Sequence, residues 1–160
     1  IAVIGVISVA SFLLLDDGRK DSRNTARASQ LKEYMKAFEY YYSENGSYPT
    51  FSDNATRTAC LGDYAGNTCW KDSAVTESET LNNLLTPAYM RKLPRGETRM
   101  FGIEPGVSSG YSGIVYEYNN EGSSYSLFYF MEGRDHDCVF QGAVGENVGE
   151  DTHCYFSFTP

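Results

Sequence analysis

The sequence predicts an α+β fold, in which a long N-terminal α-helical spine packs on a C-terminal antiparallel β-sheet of about four strands. Three observations lead to this prediction. Residues 1–45 contain no proline and follow a helical pattern, and residues 111–160 contain short runs of alternating side chains, as strands do. Four cysteines fall into two local pairs, which is typical of a domain folded in an oxidising compartment. The length of 160 residues suffices for one compact domain.

The predicted helix has two unlike halves. Residues 1–15 form an apolar half, suited to assembly or to a membrane, with the sequence IAVIGVISVASFLLL. Residues 16–45 form a charged and amphipathic half. A membrane-spanning helix needs about 20 apolar residues. The apolar run is therefore either a short buried helix or part of a longer apolar segment.

Helical periodicity is clear in the amphipathic half, where apolar side chains recur at steps of three and four. Gly18 weakens the helix by about 1 kcal/mol relative to alanine, but Asp16 and Lys20 are oppositely charged and one turn apart, so we expect one continuous helix. Asn45 and Gly46 supply the C-terminal stop. The side chains expected to pack on the sheet are Ala28, Leu31, Met35, Phe38 and Tyr42.

A helix of this length is longer than the body that remains. At 1.5 Å per residue, residues 1–45 extend over roughly 67 Å. A globule of the other residues is only about 30 Å across, judged from the radius of gyration expected for its size. We therefore expect the apolar half to project from the body.

Residues 46–110 are expected to form an irregular loop region with the first cysteine pair and one short helix over 77–85, which Pro87 ends. Four cations cluster in this region, and they form either a solvated surface or a contact to an acidic neighbouring subunit. These cations are Arg91, Lys92, Arg95 and Arg99.

Residues 111–160 are expected to form the antiparallel sheet and a disulfide-closed C-terminal region. The first two strands are joined by a turn at 119–122 and form a hairpin. Two further strands carry Cys138 and Cys154, so a disulfide would tie the terminal strands together. The predicted strands cover 114–118, 125–131, 137–141 and 153–158.

The cysteines allow three disulfide pairings. Local pairing, Cys60 with Cys69 and Cys138 with Cys154, is the simplest choice because the partners are close in sequence. A loop of about 15 residues closed in this way contributes about 3 kcal/mol in the chain-entropy model. Disulfides imply a location outside the cytoplasm. The alternative is four free, buried thiols in a cytosolic protein.

Charge and motifs narrow the classes of function. A net charge of −8 repels phosphate backbones, so no nucleic-acid partner is expected. The chain has no nucleophile, phosphate-loop or zinc-protease motif, so an enzyme is not expected. No cofactor is expected either, and calcium is the alternative, because carboxylates lie in and near a glycine-rich loop. The calcium candidates are Asp135, Asp137, Glu146, Glu150 and Asp151.

Several segments resemble the bacterial type IV pilins and the pseudopilins of type II secretion. The apolar run of Ile, Val, Ala and Gly continues into RASQLKEYMKAFEYYYSENGSYPT and ends at Asn45-Gly46-Ser47-Tyr48-Pro49. The segments LNNLLTPAYMRKLPR and YEYNNEGSSYSLFYFMEG are similar to the loop helix and first hairpin of that family. The C-terminal cysteine pair is similar to its disulfide-closed end. Gly5 stands where the family has an early glycine, whereas the proline common in the apolar half is missing.

The resemblance implies the pilin fold and a filament in which apolar helices pack with their copies, without catalysis. It also implies that the first turns of the mature helix precede Ile1. The partners would be other copies of the chain, a prepilin peptidase, an inner-membrane assembly platform and the membrane itself before assembly. The implied place is the cell surface, in an extracellular filament for adhesion, twitching motility or uptake. The expected assembly core comprises Ile1, Val3, Ile4, Gly5, Val6, Ile7, Val9, Phe12, Leu13 and Leu14.

Two alternatives to a pilus subunit stay open on the sequence. The first is a pseudopilin of a type II secretion system, which would share the helical spine but form only short fibres. The second is a membrane-anchored extracellular binding domain, which would need no packing between copies of the helix.

Overall fold

A computed structural model gives the fold as one long helix packed on a five-stranded antiparallel sheet. In residues 2–16 only the backbone is described. The residues that the structure describes are 2–52, 57–64, 69–70, 75–96, 99–103 and 110–160. Among these residues, the helices are α1 (Ala2–Asn45), α2 (Glu79–Leu85) and the 3₁₀ turn Asn120–Gly122. The strands are β1 (Thr58–Leu61), β2 (Ile114–Asn119), β3 (Ser124–Glu132), β4 (Val144–Val148) and β5 (Asp151–Phe158).

Helix α1 is continuous through Gly18, as the sequence predicts. Lys20 lies 3.9 Å from the Asp17 carboxylate, which supports the helix locally. The helix ends at Asn45 because Gly46 takes a positive φ of 73° and donates its N–H to the Tyr42 carbonyl at 2.8 Å. The predicted short helix is α2, which begins at Glu79 after the N-cap Ser78.

The sheet has the strand order β1-β2-β3-β5-β4, and all neighbouring strands are antiparallel. The prediction of about four strands was too low. The additional strand is β1, which comes from the region predicted to be irregular and pairs with β2 at the edge of the sheet. It has only four residues, so it shows too little alternation to be recognised in the sequence.

The strand predicted over 137–141 was wrong. That segment is a loop, and β4 lies further along, at Val144–Val148. The loop is held by Val139, which donates its N–H to the Tyr129 hydroxyl at 2.9 Å. The sequence does not predict β4, because this exposed edge strand has the polar sequence VGENV. The second disulfide therefore joins a loop to β5 rather than two strands.

The main core lies between α1 and one face of the sheet. Leu31, Tyr34 and Phe38 on the helix are completely buried. They pack in the same cluster as residues of β2, β3 and β5. The buried residues on the sheet side include Tyr116, Tyr125, Leu127, Tyr129 and Phe156.

Candidate functional site

The predicted assembly core lies where the structure describes the backbone alone. Ile1 is outside the described residues, and so are the side chains of the other nine residues. Their backbone belongs to α1, so the helix runs unbroken from this segment into the half that packs on the sheet. The candidate functional site is therefore the place where α1 meets the sheet, because that contact orients the apolar half.

The predicted packing residues on α1 lie on or near the covered face. Leu31 and Phe38 are fully buried, and Met35 and Tyr42 are half-buried at the margin of the core. Ala28 is also half-buried. The prediction missed Tyr34 and Ala37, both buried, although each lies near a predicted neighbour on the helical stripe.

Aromatic rings hold the C-terminal part of α1 on the sheet. The Phe38 ring lies 4.7 Å from the Tyr116 ring and 5.2 Å from the Tyr125 ring, measured between centroids. After the helix, Tyr48 is buried with its ring 4.7 Å from that of Tyr125. The Tyr116 hydroxyl donates to the Pro49 carbonyl at 2.8 Å, which fixes the chain as it leaves the helix. Such ring pairs add about 0.5–1.5 kcal/mol each beyond the area they bury.

Burial keeps the core tyrosines protonated. It raises the pKa of Tyr116 and of Tyr125 well above the usual range. Burial also raises the pKa of Tyr129 to about 12, although the N–H of Val139 donates to its oxygen and partly opposes this effect. These hydroxyls are therefore neutral at physiological pH. Those of Tyr116 and Tyr129 form hydrogen bonds, whereas that of Tyr125 is buried without a partner among the described residues.

A buried ionic cluster fixes α1 at the other end of the contact, where the helix leaves the sheet. The carboxylate of Glu132, at the end of β3, is almost fully buried. Arg23 donates to it through two N–H groups, at 2.5 and 2.7 Å. Arg99 donates to the same carboxylate from the segment before β2. One acid is thus shared by two cations from different parts of the chain, and we call these three residues the junction cluster.

Asn24 adds a second tie beside the junction cluster. Its side-chain amide donates to the carbonyl of Glu132 at 2.9 Å, and its side-chain oxygen accepts the N–H of Glu132 at 2.8 Å. The side chain therefore pairs with the backbone of β3 as a neighbouring strand would. Because Asn24 is 4% exposed, both bonds are shielded from water.

Arg27 is stacked on an aromatic ring one turn further along α1. Its guanidinium lies 4.4 Å from the centroid of Phe101, and that of Arg99 lies 5.6 Å from the same centroid. A cation over an aromatic face is stabilising by about 0.5–2 kcal/mol, depending on burial. Together with the junction cluster, this contact holds α1 on the body between Arg23 and Arg27.

The sequence did not point to this junction. The sequence predicts that Arg99 belongs to a basic cluster, either solvated or in contact with a neighbouring subunit, whereas it binds Glu132 of its own chain. A weak signal existed, because Glu132 is the only acid in the apolar run YSLFYFME of β3. A carboxylate at the end of such a strand is buried and requires a cationic partner.

The five calcium candidates have different surroundings: two form hydrogen bonds within the chain and three are exposed. The Asp151 carboxylate accepts the N–H groups of Gly102 and Gly133, each at 3.2 Å. Asp135 accepts the side-chain amide of Asn147 at 2.6 Å. Asp137, Glu146 and Glu150 are exposed. Within the described part of the chain, no group of three or more His, Cys, Asp or Glu side chains is arranged to hold a metal ion.

Two disulfides close the body, with the local pairing that the sequence favours. Cys60 of β1 is bonded to Cys69, and Cys138 is bonded to Cys154 of β5. All four sulfurs are therefore engaged in disulfides, and the alternative of four free, buried thiols is wrong. The disulfide between Cys138 and Cys154 links residues 16 positions apart. It restricts the unfolded chain and thereby stabilises the folded one.

His153 lies on the face of the sheet away from α1, among aromatic rings. Its ring centroid is 5.0 Å from that of Phe130 and 5.5 Å from that of Trp70. Burial lowers the pKa of His153, against a smaller opposing effect of Glu146 on the neighbouring strand. The imidazole is therefore neutral at physiological pH and acts as an apolar ring in this cluster.

No helix in the described part of the chain is both long enough and apolar enough to cross a membrane. No protein-family model matches the chain, and neither a curated protein nor a solved structure shows a significant match to it.

Proposed function

We propose that this chain is a structural subunit that self-assembles into an extracellular filament of the type IV pilus kind, through packing of its N-terminal helical half against the same half of other copies. The observation that supports this most is the continuity of α1 over 44 residues, about 66 Å at 1.5 Å per residue. The described anchoring of α1 to the sheet begins at Arg23. The sequence before Asp16 has no charged residue.

The physical argument rests on what an all-apolar helix requires. A helix that is apolar around its whole circumference is stable only inside a protein core or a membrane. Each large apolar side chain gains about 1.5–3 kcal/mol on burial, so the run 2–15 supplies ample free energy for association. Because the junction cluster holds the body on the same helix, packing of the apolar halves arranges the bodies around them.

The experiment introduces one charge into the apolar half. We expect Ile4→Asp or Ile7→Asp to abolish filaments on electron micrographs of material sheared from the cell surface. The body should still fold, with both disulfides formed and unchanged resistance to proteases. The matched control is Ala26→Asp, which places the same charge on an exposed position of the anchored half and should leave filaments normal.

Normal filaments from the Ile4→Asp chain would contradict the proposal. Two other outcomes would identify the alternatives. Short fibres that form only inside the cell envelope, together with a requirement for calcium, favour a pseudopilin. A wild-type chain that stays monomeric in detergent and never polymerises favours an anchored binding domain.

A further inference from the structure

A groove runs along the side of α1 that faces away from the sheet. It has a volume of about 530 Å³ and lies between α1 and the segment 89–94 that follows α2. Tyr40 is 64% exposed there, which is high for a large aromatic side chain. The cations Lys36, Arg91 and Lys92 line the groove and are all exposed. We call this the basic groove.

The two walls of the basic groove are tied to each other. The Tyr89 hydroxyl donates to the carboxylate of Glu44, at the end of α1, at 2.7 Å. The rings of Tyr89 and Tyr41 meet edge to face, with centroids 5.4 Å apart. Met90 is buried and continues the wall into the core. The groove is therefore a formed surface, and a partner would not have to order it on binding.

The charge of the basic groove is opposite to that of the whole chain. Three cations and one exposed acid, Glu33, line the groove, and a second exposed acid, Glu44, is bonded to Tyr89 at its end, whereas the chain carries a net charge of −8. An exposed tyrosine beside exposed cations fits a partner surface with an apolar side chain flanked by acids. The chemistry of the groove thus favours an acidic partner.

The chain carries a surface of that kind at the far edge of its own sheet. Strand β4 is the last strand in the order, and Val144 on it is 64% exposed. Glu146 on β4 and Glu150 in the turn after it are exposed, as is Asp137 in the preceding loop. Asp137 lines a cleft beside α1, on the other side of the sheet from Glu146. We call Val144, Glu146 and Glu150 the acidic edge.

Val144 and Glu146 share one face of β4, where they pair with Tyr155 and His153, so an apolar side chain stands beside a carboxylate. The exposed Arg134, which donates to the Gly149 carbonyl at 2.7 Å, is the cation next to Glu150. An apolar side chain beside carboxylates is the chemistry that complements the basic groove.

The two surfaces are too far apart to meet within one molecule. The segment forming the groove lies beside β1, because Asp63, two residues after β1, donates its N–H to the Pro94 carbonyl at 3.0 Å. Strands β1 and β4 are the opposite edges of a five-stranded sheet, about 19 Å apart at 4.7–4.9 Å per strand. Complementary patches at opposite edges form a head-to-tail contact, which generates open chains of subunits unless the rotation closes a ring.

We propose that the basic groove of one copy receives the acidic edge of a second copy of this chain. This proposal deepens the proposed filament and rests on it, since it names the contact between bodies once the apolar helices have brought the copies together. The contact is electrostatic at its rim, so it weakens as salt rises.

The test uses the full chain in detergent, with self-association measured by analytical ultracentrifugation. We expect Lys36→Glu or Glu146→Lys to weaken association by about tenfold, because each change juxtaposes like charges across the contact. Mixing the two variants should restore association, since the changed charges attract across the mixed contact. Arg57→Glu and Glu121→Lys are the matched controls, exposed charges of the same signs away from both surfaces, and should associate as the wild type does.

A second measurement identifies the contact directly in the wild-type chain. A carbodiimide joins an amine to a carboxylate that it touches, so mass spectrometry should find Lys36 or Lys92 linked to Glu146 or Glu150 between two copies. Mixing isotopically labelled with unlabelled chains separates such links from those within one chain. The absence of these links, with other links between copies present, would overturn the proposal.

The outcomes separate this proposal from the filament itself. If Ile4→Asp abolishes filaments but the Lys36→Glu and Glu146→Lys chains assemble normally, the proposed filament is supported and the proposed contact between bodies is overturned. If Lys36→Glu weakens association and Glu146→Lys does not, the groove binds some other acidic surface and the second copy is overturned as its occupant. A wild-type chain that shows no self-association in any condition overturns both.

Discussion

Within α1, residues 24–42 lie against the sheet and bury one stripe of side chains, whereas residues 2–15 belong to the same helix and are apolar at almost every position in the sequence. Residues 24–42 have only one apolar face to bury, and the sheet of the same chain buries it. The second segment needs cover on all sides. The two requirements are therefore separate along one helix: the anchored half stabilises the body, and the apolar half is the part that we propose for assembly, with Arg23 and Asn24 at the boundary.

The largest expected effect tests the anchored half. Phe38→Ala removes a fully buried ring that contacts Tyr116 and Tyr125, and it should lower the free energy of unfolding by about 3–5 kcal/mol. Denaturant unfolding of the full chain in detergent, followed by tyrosine fluorescence, measures this change. The comparison predicts the opposite pattern for Ile7→Ala, which should alter unfolding of the body by less than about 0.5 kcal/mol.

When self-association is measured, the order should be reversed, and Ile7→Ala should have the larger effect of the two variants. Ile7→Ala shortens a side chain that we assign to contacts between copies, so it should weaken self-association at a concentration where the Phe38→Ala body is still folded. If Ile7→Ala destabilises the body as much as Phe38→Ala does, the two halves are not separate in energy and the comparison fails.

An intermediate effect is expected at the boundary between the halves. Glu132→Gln keeps the shape of the side chain and removes the charge shared by Arg23 and Arg99. Removing one member of a buried ion pair costs about 3–5 kcal/mol, and about 2–3 kcal/mol is expected here because both arginine side chains are partly exposed. Denaturant unfolding measures the loss.

A double-mutant cycle separates the junction cluster from general destabilisation. With Arg23→Gln as the second change, the two losses should be less than additive, since both remove the same interaction. Limited trypsin digestion should also cut faster at Arg19 and Lys20 in the Glu132→Gln chain, because the helix is less firmly held where it leaves the sheet. Additive losses with unchanged digestion would show that the cluster does not hold α1.

The features that the sequence predicted are those encoded over short distances. The period of α1, its stop at Gly46 and the hairpin of β2 and β3 each depend on neighbours within a few residues. The disulfide partners are only 9 and 16 residues apart. Local pairing was therefore the closure with the smallest entropy cost, and the structure contains it.

The features that the sequence missed depend on distant partners. Arg23 and Glu132 are 109 positions apart, so no local pattern connects them. Strand β1 exists because β2 lies beside it, and β4 exists because β5 does. Edge strands of this kind are short or polar, so they lack the alternation that identifies a half-buried strand. The sequence shows that the cations of the basic groove are present but not where they lie. Only the fold shows that they lie beside Tyr40.

The smallest expected effect concerns the glycine that stands between the two halves. Gly18 has a helical backbone, and a Cβ built there meets no atom within 4 Å. Gly18→Ala should therefore stabilise the helix locally by up to about 1 kcal/mol without strain. Because Gly18 precedes the junction cluster, the gain should appear as slower amide hydrogen exchange around residues 17–22, with global unfolding of the body unchanged. Faster exchange there, or a stabilised body, would mean that the boundary lies elsewhere on α1 than at Arg23.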